Sequence, residues 1–308
     1  MLVMIAPEPT TSYATAMTSV PQIFDRSALK LRLARARRRG PADFLLVRAA
    51  EDLGDRLATI QRSFADCLDL GTPGTIAAEL LRARPGTRNV THITCEDETS
   101  PVDLENPGLN EAAYECVVSL LALHNINDLP GLLTQIRRAL RPDGLFMAAL
   151  IGGDTLTELR TALMEAELET TGGAALRVAP FADVRSLGQL LQRAGFALPV
   201  ADNERIIVRY ASALDLMIDL RDMGATNILT DRPRNPLRRS TLFRAAEIYA
   251  ERFADAGGRL RATFEIVWLS GWAPHASQQQ PLKPGSAKMK LADALRALTP
   301  DDAGKDTP

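Results

Sequence analysis

The stretch Cys67-Leu68-Asp69-Leu70-Gly71-Thr72-Pro73-Gly74-Thr75 decides how the chain is read. A short run of strand character enters a turn built of two glycines and a proline, and Ile76 to Arg84 behind it has helical periodicity that stops before Pro85-Gly86. A strand turning straight into a helix is the opening of a βαβ unit. Working outward, Asn89 to Thr94 alternates like a strand and closes in Cys95-Glu96-Asp97-Glu98, and Cys116 to Leu123 predicts another strand ending at His124. Leu145 to Ile151 is continuously apolar, as a strand buried on both faces of a parallel sheet must be.

Helical stripes fill the gaps. Leu45, Leu46, Ala49, Leu53, Leu57 and Ile60 mark a helix near 42–60. Leu132, Leu133, Ile136 and Leu140 mark one that stops at the turn-like Arg141-Pro142-Asp143-Gly144. Gly152-Gly153-Asp154-Thr155 opens a helix with Leu156, Leu159, Leu163 and Ala166 inward, and the helix of Val184, Leu187, Leu191 and Ala194 ends at Gly195. Ile206 to Tyr210 and Phe264 to Leu269 read as strands with helices near 211–223 and 240–254 between them. Alternating strands and helices predict an α/β fold with a mostly parallel sheet, and the two late strands an antiparallel edge hairpin carrying a helical insertion at about 211–258.

At 308 residues, 46% hydrophobic and 24% charged, the chain is of ordinary globular composition and long enough to bury a core without disulfide or metal staples. Three scattered cysteines, Cys67, Cys95 and Cys116, argue for a reducing compartment and against a zinc site. No apolar run reaches the roughly 20 residues of a membrane span, and nothing at the start reads as an export signal. The expected location is the cytoplasm, or the mitochondrial matrix for a eukaryotic source.

The net charge of −2 hides an asymmetry. Residues 26–39 carry Arg26, Lys30, Arg32, Arg35, Arg37, Arg38 and Arg39 and no acid. Such an arm could meet an acidic partner, a membrane surface or nucleic acid, but the absence of interleaved aromatics disfavours nucleic acid and leaves a solvated helix face as the plain reading. The chain therefore divides into a tail and basic arm over 1–41, a main domain over 42–274 and a polar tail over 275–308.

The order of these parts, with Val117-Val118-Ser119-Leu120-Leu121-Ala122-Leu123-His124, Ile136-Arg137-Arg138-Ala139-Leu140-Arg141-Pro142-Asp143-Gly144 and Leu190-Leu191-Gln192-Arg193-Ala194-Gly195-Phe196, resembles class I S-adenosylmethionine-dependent methyltransferases, including the malonyl-carrier-protein methyltransferases of biotin synthesis. Leu123-His124-Asn125-Ile126-Asn127-Asp128-Leu129-Pro130, Gly152-Gly153-Asp154-Thr155-Leu156-Thr157-Glu158-Leu159-Arg160, Ala262-Thr263-Phe264-Glu265-Ile266-Val267-Trp268 and Ser277-Gln278-Gln279-Gln280-Pro281 are similar to the bacterial relatives of respiratory complex I assembly factor 5. The resemblance implies a Rossmann-like fold and S-adenosylmethionine over Asp69, Gly71, Gly74 and the Glu96/Asp97 pair. It also implies His124 and Asp154 facing a protein substrate such as a complex I subunit, with methylation or arginine hydroxylation as the modification.

Three features depart from that pattern. Pro73 and Thr75 replace the second and third glycines of the first loop, and Asn125 stands where relatives carry tryptophan. Only 46 residues separate Asp69 from Glu115, short for two βα units, so one strand is expected to be lost or shortened. These departures keep two alternatives open: a non-catalytic assembly scaffold with a degenerate cofactor site, and a methyltransferase of a carrier-protein thioester. Asp154 has a second reading, because Thr155-x-x-Glu158 matches a helix capping box. Neither His92, His124 nor His275 has metal-ligand spacing, so no metal site is expected.

Overall fold

The computed structural model describes residues 20–94 and 102–279; Glu96, Asp97 and the two chain ends lie outside the described residues. The chain divides into two compact units, Met1–Pro274 and His275–Pro308. In the second, the Gln278 N–H closes a turn on the His275 carbonyl at 3.2 Å. All elements below belong to the first.

They run α1 Arg26–Arg39, α2 Phe44–Ala58, β1 Asp66–Leu70, α3 Ile76–Ala83, β2 Asn89–Ile93, β3 Tyr114–Leu120, a 3-10 turn Leu123–Asn125, α4 Leu129–Ala139, β4 Leu140–Ile151, α5 Thr157–Thr171, α6 Val184–Arg193, β5 Ala197–Tyr210, α7 Ala213–Asp222, α8 Arg239–Phe253 and β6 Leu260–Trp272. The sheet order is β2-β1-β3-β4-β6-β5. Strands β2, β1, β3 and β4 are parallel, while β6 is antiparallel to both β4 and β5. This is the Rossmann-like, mostly parallel sheet with an antiparallel edge hairpin that the sequence predicts, and α7 and α8 form the insertion between β5 and β6. Among the described residues β2 is the only strand that the chain forms between β1 and β3, in keeping with the short spacing.

Side-chain alternation explains the layers. Leu68, Leu70, Val117, Phe146 and Ala148 face α4 and α6 through Leu132, Leu133, Ile136, Leu187 and Leu191. Their neighbours Cys67, Cys116, Val118, Met147 and Ala149 face α2 and α3 through Leu53, Leu57, Ala77 and Leu81. Both sets are sealed from water, so the central strands read as unbroken apolar runs. A further core joins α5, α7 and α8 to the far ends of β5 and β6 through Leu163, Leu216, Tyr249 and Phe264.

Three expectations change. Helix α4 does stop where expected, at Ala139, but Arg141-Pro142-Asp143-Gly144 is not a turn between elements. It forms a bulge inside β4, where the register jumps from Tyr114↔Leu140 to Cys116↔Leu145. Asp143 takes a left-handed φ of 63°, as turn chemistry allows, yet its N–H donates to the Ala273 carbonyl at 3.1 Å and the strand continues. The hairpin strands are also longer than their apolar cores, because edge strand β5 alternates half-buried and exposed positions over its length. Finally, β3 ends at Leu120, which puts His124 on the 3-10 turn and not on a strand.

The basic arm is a helix, but not a free one. Asp25 caps it, accepting from the Ala28 N–H at 2.9 Å. Its apolar side, Leu29 and Ala36, is buried against α7 and the chain around Ile228 and Leu229. Leu68→Ala, in the sealed core, is expected to lower the unfolding free energy by roughly 2–5 kcal/mol. Ile207→Ala, at a position 51% exposed on the edge strand, should cost less than about 1 kcal/mol; urea titration of both variants checks the difference.

Candidate functional site

Because β1, β3 and β4 run parallel, their carboxyl ends meet along one edge, where ligands of open α/β sheets bind. The β1 turn sits there. Gly71 has φ +82° and passes so close to Leu104 and Ala122 that a Cβ would stand 2.9 Å and 3.0 Å from them, so only glycine fits. Its N–H donates to the Ile93 carbonyl at 2.6 Å, tying the turn to the end of β2. The buried Thr72 hydroxyl accepts from the Leu120 N–H at 3.0 Å and ties it to β3. Gly74, with φ +65°, has open space where a side chain would project. Thr75, the N-cap residue of the α3 that follows, makes no side-chain capping bond among the described residues.

Asp69 lies fully buried at this edge. Its Oδ2 is 2.9 Å from Nδ1 of His92, the residue level with it on β2, and its Oδ1 has no hydrogen-bond partner among the described residues. An unpartnered buried carboxylate oxygen is costly, and it fits a ligand that brings a donor or a positive charge. The sequence gives little warning of His92; the parallel register alone sets it beside Asp69.

A cavity of about 480 Å³ adjoins the turn. Pro73, Leu121, His124 and Ile151 line it from the sheet edge, Leu156 and Leu159 from the α5 side, and α1 closes it with Leu29, Leu33 and Ala36. Thus Pro73 forms a wall of the cavity, while Asp69, Gly71 and Gly74 lie outside its lining.

His124 lines the cavity on its 3-10 turn, edge-on to Phe181 with ring centroids 5.7 Å apart. Burial pushes its pKa down to about 4, so the ring is neutral near pH 7. The Asn125 side-chain amide lies 3.2 Å from Nε2, and donation from it places the ring proton on Nδ1, which is sealed and without a partner among the described residues. A neutral imidazole of this kind orients a ligand better than it removes a proton at pH 7.

Asp154 is elsewhere. Its carboxylate pairs with Arg205, it is half exposed, and it does not line the cavity. The capping-box alternative also fails. Thr155 Oγ1 accepts from the Glu265 N–H at 2.9 Å, and the Glu158 carboxylate accepts from the Thr263 N–H at 3.1 Å, so both residues fasten α5 to β6. Glu96 and Asp97 lie outside the described residues. Asn127, in the segment that carried the resemblance, instead ties down the N-terminal arm: its Oδ1 accepts from the Phe24 N–H at 2.7 Å.

A family model described as a methyltransferase domain matches residues 35–199. The chain belongs to the methyltransferase-domain family. It is 38% identical over 263 residues to the arginine-hydroxylase NDUFAF5, mitochondrial, of Danio rerio, with 82% of each chain covered. Identity to the Homo sapiens protein of that name is also 38% over 263 residues, covering 82% of this chain and 76% of that one. The malonyl-[acyl-carrier protein] O-methyltransferase of Laribacter hongkongensis is 32% identical over 300 residues, covering 90% of this chain and 96% of that one. Membership implies use of S-adenosylmethionine. No helix among the described residues is long and apolar enough to cross a membrane.

His124 generates a pH prediction. In the folded chain the ring stays neutral down to about pH 4, whereas an unfolded histidine takes up its proton near 6.5. Its contribution to stability is therefore complete above pH 6.5 and is lost as the pH falls towards 4. Urea unfolding at pH 7 and pH 5 should show a smaller drop for His124→Gln than for the wild type.

Proposed function

We propose that the chain binds S-adenosylmethionine at the β1 turn and modifies a protein partner, a respiratory complex I subunit on the resemblance to the assembly factor. The observation that carries the cofactor assignment is the buried Asp69 with its unpartnered Oδ1. In this reading Asp69 holds the donor or cationic end of the cofactor, and Gly71 keeps the turn tight enough for close approach. Gly74 and the start of α3 lie open beside them. When bound, S-adenosylmethionine supplies an electrophilic methyl group. The acceptor enters the adjoining cavity, where Leu156, Leu159 and Phe181 exclude water and the neutral ring of His124 forms part of the wall. Displacement at a sulfonium needs chiefly alignment, which a preformed cavity provides. Asp154 has no part in this arrangement beyond its pairing with Arg205.

A scaffold without catalysis is the second reading, and one observation favours it. Pro73 has no N–H and the Gly71 N–H is already bonded to Ile93, so the turn offers few donors to a ligand. Calorimetric titration separates the two. Saturable binding of S-adenosylmethionine and of its demethylated product to the wild type, weakened roughly tenfold or more in Asp69→Asn, supports the enzyme; the scale is that of one charge-assisted hydrogen bond. Absence of heat at millimolar ligand leaves the scaffold. Pull-down against complex I subunits and against acyl carrier protein then distinguishes a subunit substrate from a carrier-protein thioester.

A further inference from the structure

Beside the apolar cavity lies a second recess, of about 420 Å³, lined by Arg32, Arg177, Thr226, Asn227, Arg232 and Arg234 together with Pro233. Four guanidinium groups face two carboxylates. Asp25 and Glu167 cannot neutralise all four, because their oxygens are already engaged. Asp25 Oδ1 accepts from the Ala28 N–H and its Oδ2 from Arg232 at 2.8 Å, with Arg234 a further 4.0 Å contact. Glu167 Oε1 takes Arg177 at 2.7 Å, and Oε2 accepts from the Ala175 N–H at 2.8 Å. Asn227 is spent as well, on the Leu176 carbonyl and the Leu229 N–H.

Arg32 is left over. Among the described residues it has no carboxylate partner; it donates only to the Thr226 hydroxyl, which keeps its own proton to give. Burial first, and then the neighbouring Arg232, hold its pKa below the ordinary arginine range. A half-buried guanidinium among like charges is stabilised by an oxyanion that accepts from several of them at once.

We infer that this recess is an oxyanion site, in which Arg32, Arg232, Arg234 and the Thr226 hydroxyl take a phosphate group, either as the free ion or as a monoester. Arg32 belongs to α1 and the other three to the chain beyond α7, so the bound anion bridges the arm to the body. The recess shares Arg177, Thr226 and Asn227 with the apolar cavity, and this gives a monoester's organic part somewhere to lie. The assignment does not depend on the methyl-donor reading.

Calorimetry of the full chain with inorganic phosphate and with phenyl phosphate, against sodium chloride at matched ionic strength, tests it. Saturable binding of phosphate is expected for the wild type and for Lys30→Gln, an exposed position on the same helix outside the recess. Arg32→Gln should weaken it roughly tenfold or more. Arg234→Gln, at the exposed rim, should weaken it without disturbing α1, which covers the case in which the first variant folds poorly. Tighter binding of phenyl phosphate assigns a monoester and equal binding the free ion; both uphold the site. No saturable heat with either probe, or equal losses in Lys30→Gln and Arg32→Gln, overturns it.

Discussion

Two-sided burial of β1, β3 and β4 is the constraint on which the rest depends. Each strand packs one set of side chains under α4 and α6 and the other under α2 and α3, and water reaches neither. Strands in that position are held parallel and in one register by their neighbours, so the loops at their carboxyl ends must converge. Asp69 is drawn out of water by the same packing. A carboxylate in that setting needs compensation, and His92 supplies only part of it.

The N-terminal arm shows how charge can hide packing. Its seven basic residues describe a solvated helix, but Leu29, Leu33 and Ala36 on its other side close a cavity. Long arginine side chains bury their apolar stems against the body while several of the charged ends stay at the surface. Arg39 pairs with Asp222, and Arg26 reaches the Asn125 carbonyl, so the basic face also fastens the helix to the body. Residues read as a surface feature thus become a wall of the candidate site and one side of the arginine recess.

Much of the fold was legible because hydrophobic period reflects burial directly. The Cys67-to-Thr75 turn, the apolar Leu145-to-Ile151 strand and the helical stripes fell where expected, and the resemblance named the family. The candidate site was less legible. Asp69, Gly71 and His124 share one edge of the sheet, but Asp154 turns to Arg205, a partner 51 residues away that no local pattern announces. The bulge at Arg141 to Gly144 has the chemistry of a turn; only pairing with β3 and with the chain at Ala273 keeps it within a strand.

The sequence by itself determined the alternation of strands and helices, the sheet edge that carries the candidate site and the glycine on which the first turn depends. Each follows from short-range properties: burial period, the φ preference of glycine, and the shape of a strand–turn–helix joint. Only the tertiary structure decided that His92 stands beside Asp69, that α1 roofs the cavity, and that Arg32 meets Arg232 and Arg234. Those are contacts between residues distant in the chain. Their energy exists only once the core has fixed both partners, so no local pattern in the sequence records it.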